Sequence, residues 1–324
     1  MSYQGESLST DADQPSHATG AGRCPREYWY SQNSDVFRSI RADFIWQMVR
    51  RIVQFINGHC SMSGEPIRVS RQLLSKARAC VSDIASLSQK IPFFPVERVM
   101  DLGPVAFARV SASSRIGWAA IFLKAYALVA RRHPVLRSWY VSGFMSHVAT
   151  CSASVATLAV NRMENGEDRL WFARLEQPDQ KSLLEIQAFV TQCTTRPTEE
   201  LFKRQLQLEM LPRMLRRFIL RWNMNSFSEK RATRIGTFSL STLAGFNATN
   251  RLHPTICTTS LSYAPLDSDK RCIVTLLADH RILDGVLSAR VLQELEEILC
   301  RDIVSELQCL SPEGDNTSTI RESP

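Results

Sequence analysis

Between Asp35 and Asn57 apolar residues recur at three- and four-residue spacing: Phe37, Ile40, Phe44, Ile45, Met48, Val49, Ile52 and Ile56, with arginines between them. That period predicts an amphipathic helix ahead of the main domain, fit either to pack on it or to touch a membrane surface. After Ser63-Gly64-Glu65-Pro66 a second helix is predicted over Val69–Gln89. Pro92 and Pro95 break the helical period, and Phe94–Leu102 alternates as a strand does. Ile116–His133 is a strongly apolar helix stopped by Pro134. Val155–Arg162 and Leu170–Leu175 read as strands joined across Asn165-Gly166, a strong hairpin signal. Ser182–Cys193 is helical, and Glu199–Asn223 is a longer basic helical region that Pro212 can break. Gly236–Leu243, Thr255–Ala264 and Cys272–Ala278 read as strands, and Val286–Leu310 as a closing helix. No repeat is visible. Antiparallel-looking strands alternating with long helices predict an α/β two-layer sandwich.

The 324 residues allow one large domain or two ordinary ones. Residues 1–22 are rich in Ser, Gly, Asp and Gln, and segment 1–34 is expected to be disordered. The helix and a linker then occupy 35–65, a single domain 66–310, and a disordered tail 311–324. Apolar residues at 44% and charged residues at 22% exclude wholesale disorder and fibrous classes. No run of about 18 uncharged apolar residues offers a membrane span, and Met1–Gly22 lacks the basic-then-apolar order of a secretory signal. Nine scattered cysteines without CxxC spacing argue against a zinc ribbon or a thioredoxin-like site. Their odd number leads us to expect reduced thiols, a cytoplasmic location and no metal.

The net charge is +7. It suits an anionic ligand, a membrane surface or nucleic acid without choosing among them. The segment Lys203–Arg234 alone holds nine basic residues against Glu209 and Glu229, a surplus equal to that of the whole chain. Met210, Leu211, Met214, Leu215, Phe218, Ile219 and Trp222 interleave with its arginines. Three readings stay open: a solvated helix face, arginines such as Arg216 and Arg217 gathering the phosphates of a cofactor, or a helix lying on an anionic membrane. Nucleic acid is not expected, since no recognised module accompanies the charge.

The candidate chemistry lies in Ala278-Asp279-His280-Arg281-Ile282-Leu283-Asp284-Gly285, between an apolar strand and an amphipathic helix. His280 stands at a strand end, on a turn that Gly285 is expected to help make. A sheet holds such a histidine rigidly while its tip stays reachable. A histidine side chain titrates near neutral pH, so it can take a proton from a thiol or hydroxyl and return it. Asp284, one turn on, could orient the loop or a nearby cation.

This block resembles the D-H-R-x-x-D/N-G signature of the acyltransferase subunits of 2-oxo acid dehydrogenase complexes. Chloramphenicol acetyltransferases share the H-x-x-x-D-G spacing. Three further segments agree in order: Phe122–Ala125 through the His133-Pro134 turn, Asp179–Ile186, which resembles D-x-K-S-L-x-E-L, and Thr237–Leu243, which resembles F-T-I-S-x-L. The resemblance spans about residues 66–310. It implies a mixed, largely antiparallel sheet packed with helices, and a coenzyme A-dependent acyltransferase. His280 is matched to the base that deprotonates the acceptor, which then attacks acyl-CoA directly. Ser241 is matched to the serine that hydrogen-bonds the oxyanion. Asp284 is matched to an aspartate paired with an N-terminal arginine, for which Arg71 and Arg78 are candidates. The resemblance also implies a homotrimer whose active site joins His280 and Ser241 of adjacent subunits.

The chain departs from the family in two ways. Lipoyl and peripheral subunit-binding domains with Ala/Pro-rich linkers are not recognisable, so a stand-alone domain is expected, with any lipoyl acceptor supplied in trans. Ser241-Thr242-Leu243-Ala244 replaces the usual x-L-G. The alternative function is a non-catalytic relative that binds an acyl carrier or a membrane through 203–234.

Overall fold

The computed structural model describes residues 45–54 and 68–311. Segment 1–34, most of 35–65 and the tail from 312 on lie outside the described residues. The chain divides into two units, Met1–Arg71 and Gln72–Pro324. In the first, residues 45–54 form a helix whose apolar side chains, Trp46 and Met48 among them, are exposed. The Arg50 guanidinium lies 5.0 Å from the centre of the Trp46 ring.

The second unit is built on a six-stranded mixed sheet, in the order β1-β8-β7-β6-β4-β5. Its strands are β1 (Phe93–Asp101), β4 (Val155–Glu164), β5 (Glu167–Glu176), β6 (Phe238–Leu240), β7 (Thr259–Tyr263) and β8 (Arg271–Asp279). A separate hairpin, β2 (Ser138–Val141) with β3 (His147–Thr150), has no strong pattern in the sequence. Pro95 is tolerated inside β1 because β1 is an edge strand with one unpaired side. β4 and β5 form the expected hairpin. Asn165 and Gly166 both take positive φ, 51° and 79°, as a tight two-residue turn requires. The central pairs β4·β6 and β6·β7 are parallel, and the other three pairings are antiparallel. β6 is only three residues long, shorter than its apolar run suggested. Gly236 precedes it at φ 98°, where a Cβ would come within 2.2 Å of Thr157 Oγ1.

One face of the sheet carries the main core. The longest helix there, α3 (Trp118–Arg132), is almost wholly buried; α4 (Leu183–Thr195), α9 (Gly285–Ile298) and α10 (Val304–Gln308) accompany it, while α2 (Gly103–Ser111) packs on α10. α9 and α10 are joined by a π-helical turn, Leu299–Ile303. The segments that carry the resemblance stitch this layer together. Lys124 Nζ donates to the Lys181 carbonyl at 2.5 Å and meets Glu306. Ser182 and Glu185 form a capping box at the start of α4. His133 ends α3 and its Nε2 lies 2.5 Å from Glu294 Oε2.

Over β4 and β5 lie α1 (Lys76–Ser88), α7 (Arg213–Met224) and α8 (Glu229–Ile235), while α5 (Thr198–Leu201) and α6 (Lys203–Glu209) run along the β5 edge, where Gln205 bonds the Phe172 amide and the Leu170 carbonyl. α1 is shorter than predicted because the Ser75 side chain caps it, accepting from the Arg78 amide. The basic helical region expected over 199–223 is three helices, and the last starts just after Pro212, the predicted point of a break. Among the described residues no helix is long and apolar enough to cross a membrane.

Candidate active site

His280 follows the last residue of β8 and is exposed. Its amide donates to the Pro92 carbonyl at 3.0 Å, and its ring packs on Phe94 with centroids 4.5 Å apart. The flanking residues of the block make the turn around it. The buried Asp279 carboxylate accepts from Arg281 Nε at 2.9 Å and from its terminal nitrogen at 2.6 Å. The Arg281 guanidinium in turn lies over the Tyr140 ring at 4.4 Å. Asp284 caps α9, its Oδ1 accepting from the Leu287 amide at 2.7 Å. The imidazole is thus held by backbone and ring contacts on a turn closed on both sides.

Asp284 and Gly285 complete the turn. Asp284 pairs with no arginine among the described residues of its unit, Arg78 included; helix capping uses its carboxylate instead. Arg71 falls in the other unit. Gly285 has no positive φ and nothing within 4 Å of where a Cβ would stand, so the turn itself does not demand glycine.

Ser241 directly follows β6, and its amide donates to the Leu261 carbonyl at 3.0 Å. The strand register separates it from His280. Leu240 opposes Leu261, which opposes Leu276, so Ser241 stands level with Thr275 on β8. His280 is five residues further along β8 and two strands across. By strand rise and spacing this is on the order of 20 Å between Cα atoms. The sheet therefore holds the two residues at opposite ends, and one copy of the chain does not bring them together.

Ser241 lines a cavity of about 100 Å³ together with His253, Ser239, Thr255 and Arg174. Sequence reasoning passed over His253, which lies in a loop without a motif. Asn250 Nδ2 approaches its Nδ1 at 3.3 Å, and its Nε2 is 2.7 Å from Ser260 Oγ, to which Ser239 Oγ donates at 2.6 Å. Burial pushes the His253 pKa down from 6.5 to about 4. The unfolded chain takes up this proton below about pH 6.5. The contribution is therefore complete above that pH and is lost as pH falls through about 4. Urea unfolding at pH 7 and pH 4.5 should show a drop in stability that is smaller in His253→Gln.

Arg216 and Arg217, expected to gather phosphates, are engaged elsewhere. Both meet the buried carboxylate of Asp83 on α1, at 2.5 Å and 2.6 Å from their Nε atoms. Arg216 is itself buried. α7 thus turns charge inward at Arg216 and leaves Met214, Phe218 and Trp222 exposed. The cations beside the His280 turn are different ones. Lys90, Arg221, Arg231 and Arg281 line a cavity of about 100 Å³ that contains one acid, Asp279. Arg231 is buried over the Trp139 ring, and burial lowers its pKa to about 10. Among the described residues no cluster of three or more His, Cys, Asp and Glu side chains could hold a metal ion.

Neither a family model nor a curated protein sequence matches the chain. Solved structures do. A probable dihydrolipoamide acetyltransferase from Listeria monocytogenes superposes with a TM-score of 0.52 at 17% identity, over 78% of this chain and 99% of its own. The cubic core of a pyruvate dehydrogenase multienzyme complex gives 0.55 at 16%, over 76% and 99%. The Azotobacter vinelandii dihydrolipoamide acetyltransferase gives 0.54 at 15%, also over 76% and 99%. The fold is that of dihydrolipoamide acetyltransferase cores. On this fold His280 follows β8, an inner strand next to the β1 edge, and Ser241 follows β6, two strands away.

Proposed function

We propose that the protein is an acyltransferase that moves an acyl group between a coenzyme A thioester and a thiol or hydroxyl acceptor. The observation that carries this reading is the turn at His280: an exposed imidazole packed on the Phe94 ring, its amide held by the Pro92 carbonyl, at the end of an inner strand of an acetyltransferase-core fold. In the proposed step a ring nitrogen of His280 takes the proton from the acceptor S–H or O–H. The acceptor attacks the thioester carbonyl, and its carbon–sulfur bond then breaks. The coenzyme A thiolate leaves and takes the proton back from the imidazolium. Ser241 would donate its hydroxyl to the oxyanion, a charge that exists only in the transition state and intermediate.

Ser241 and His280 of one chain stand on the order of 20 Å apart by strand rise and spacing, which supports a site shared between neighbouring copies. A homotrimer in which each copy gives His280 to one site and Ser241 to the next provides such a site. The phosphates of coenzyme A would fall to Lys90 and Arg221, which are exposed on the His280 side, rather than to Arg216 and Arg217. A lipoyl group presented in trans is one acceptor this scheme admits.

The test is complementation. Trimers of His280→Ala alone and of Ser241→Ala alone should both be impaired, the second by about 10²–10³-fold. When the two are unfolded together and reassembled, random assortment in a cyclic trimer restores roughly a quarter of the sites. Thiol release from acetyl-CoA with dihydrolipoamide measures it. No recovery above the separate variants overturns the shared site.

A second reading, docking on an anionic membrane surface without catalysis, is favoured by the exposed Met214, Phe218 and Trp222 beside the exposed Arg213 and Arg221. It would survive the loss of His280, whereas acyl transfer would not.

A further inference from the structure

Behind Ser241 the small cavity adjoins a larger one of about 490 Å³ under α6 and α7. The two share Ile84, Phe172, Arg174, Ile235 and Ile256. The larger volume falls within the roughly 300–1,000 Å³ of small-molecule sites. Its walls are mostly apolar, with Leu208 of α6, Ile219 and Leu220 of α7 and Leu211 between these helices lining it together with Phe172 of β5. Its charged groups are Arg174, Arg204 and Arg234, and neither cavity is lined by an Asp or Glu.

Arg174 stands at the junction. Its side chain donates to the Phe172 carbonyl at 2.8 Å, while its Nε is buried without any hydrogen-bond partner. Among the described residues it forms no ion pair, in contrast to Arg216, Arg217 and Arg281. Burial lowers its pKa, and the nearby Arg204 acts in the same direction. A guanidinium in such surroundings is costly unless an anion meets it. Register relates it to the proposed oxyanion donor. Arg174 opposes Thr157, which opposes Ser239, two residues before Ser241. That is about 12 Å between the Cα atoms of Arg174 and Ser241 by strand rise and spacing.

We infer that the substrate reaching Ser241 is a carboxylic acid with an apolar body, its carboxylate held by Arg174 and its body against the apolar walls. A planar guanidinium with a free N–H matches a carboxylate edge. The apolar walls favour this single charge over a dianionic phosphate. The inference rests on the acyltransferase reading for the meaning of Ser241, but not for the binding itself.

Calorimetric titration of the full chain with octanoate and with 1-octanol, without any acyl donor, tests it. Octanoate should bind at least tenfold more tightly than octanol, and Arg174→Met should erase the difference while Arg204→Gln at the cavity wall keeps most of it. Equal or absent binding of the two probes to the wild-type chain overturns the inference, and so does a preference that persists in Arg174→Met. The wild-type comparison decides the matter even if Arg174→Met fails to fold. Because no acyl transfer is measured, failure here leaves the complementation result untouched, and the reverse also holds.

Discussion

His280→Ala is expected to lower acyl transfer by about 10²–10⁴-fold, the range that general acid–base groups supply. The fold should persist. The side chain is exposed, and its packing contact is the Phe94 ring, while the turn is held by groups the substitution leaves in place: the His280 amide, the Asp279–Arg281 pair and the Asp284 cap. Steady-state kinetics with acetyl-CoA and dihydrolipoamide should therefore show the loss in kcat, with urea unfolding within about 0.5 kcal/mol of wild type, as for surface substitutions. Turnover unchanged in this variant would remove His280 from the mechanism.

The largest effect on stability should come from Asp83→Ala. Asp83 is buried on α1 and receives Arg216 at 2.5 Å and Arg217 at 2.6 Å, with Arg213 at 3.9 Å. Removing the carboxylate leaves the buried Arg216 guanidinium with only the Leu211 carbonyl. Breaking a buried pair from one side costs about 3–5 kcal/mol, because the remaining charge cannot regain water. Urea unfolding should report a loss of that order. Arg217→Gln should cost much less, since the Arg217 side chain is 31% exposed and Arg216 still neutralises the aspartate. A loss below about 1 kcal/mol in Asp83→Ala would show that α7 is held by its apolar contacts instead.

The same ion cluster shows why the role of the basic segment was hard to read from sequence. Helical spacing between Arg213 and Trp222 reveals two faces, and apolar faces usually turn inward. Here an acid more than 120 residues earlier in the chain draws Arg216 inside, and Met214, Phe218 and Trp222 face outward. Asp284 answers a local demand: a carboxylate just before a helix has its own backbone donor to satisfy. His253 went unnoticed because its burial and its link to Ser260 depend on which strands lie side by side.

The sequence by itself determined the local elements and the chemical residues. The Asn165-Gly166 turn, the capping box at Ser182, the stop at Pro134 and the position of His280 just past a strand all depend on neighbours within a few residues. Propensity and hydrogen bonding at that range leave few alternatives. The tertiary structure alone decided strand order, the parallel placement of β6, and so the distance that parts Ser241 from His280. It also decided that Arg174, an ordinary strand arginine in the sequence, is left without an acid at the junction of two cavities. Pairings such as Ala156 with Phe238 or Asp83 with Arg216 leave no local pattern, because their energy is realised only when the chain closes on itself.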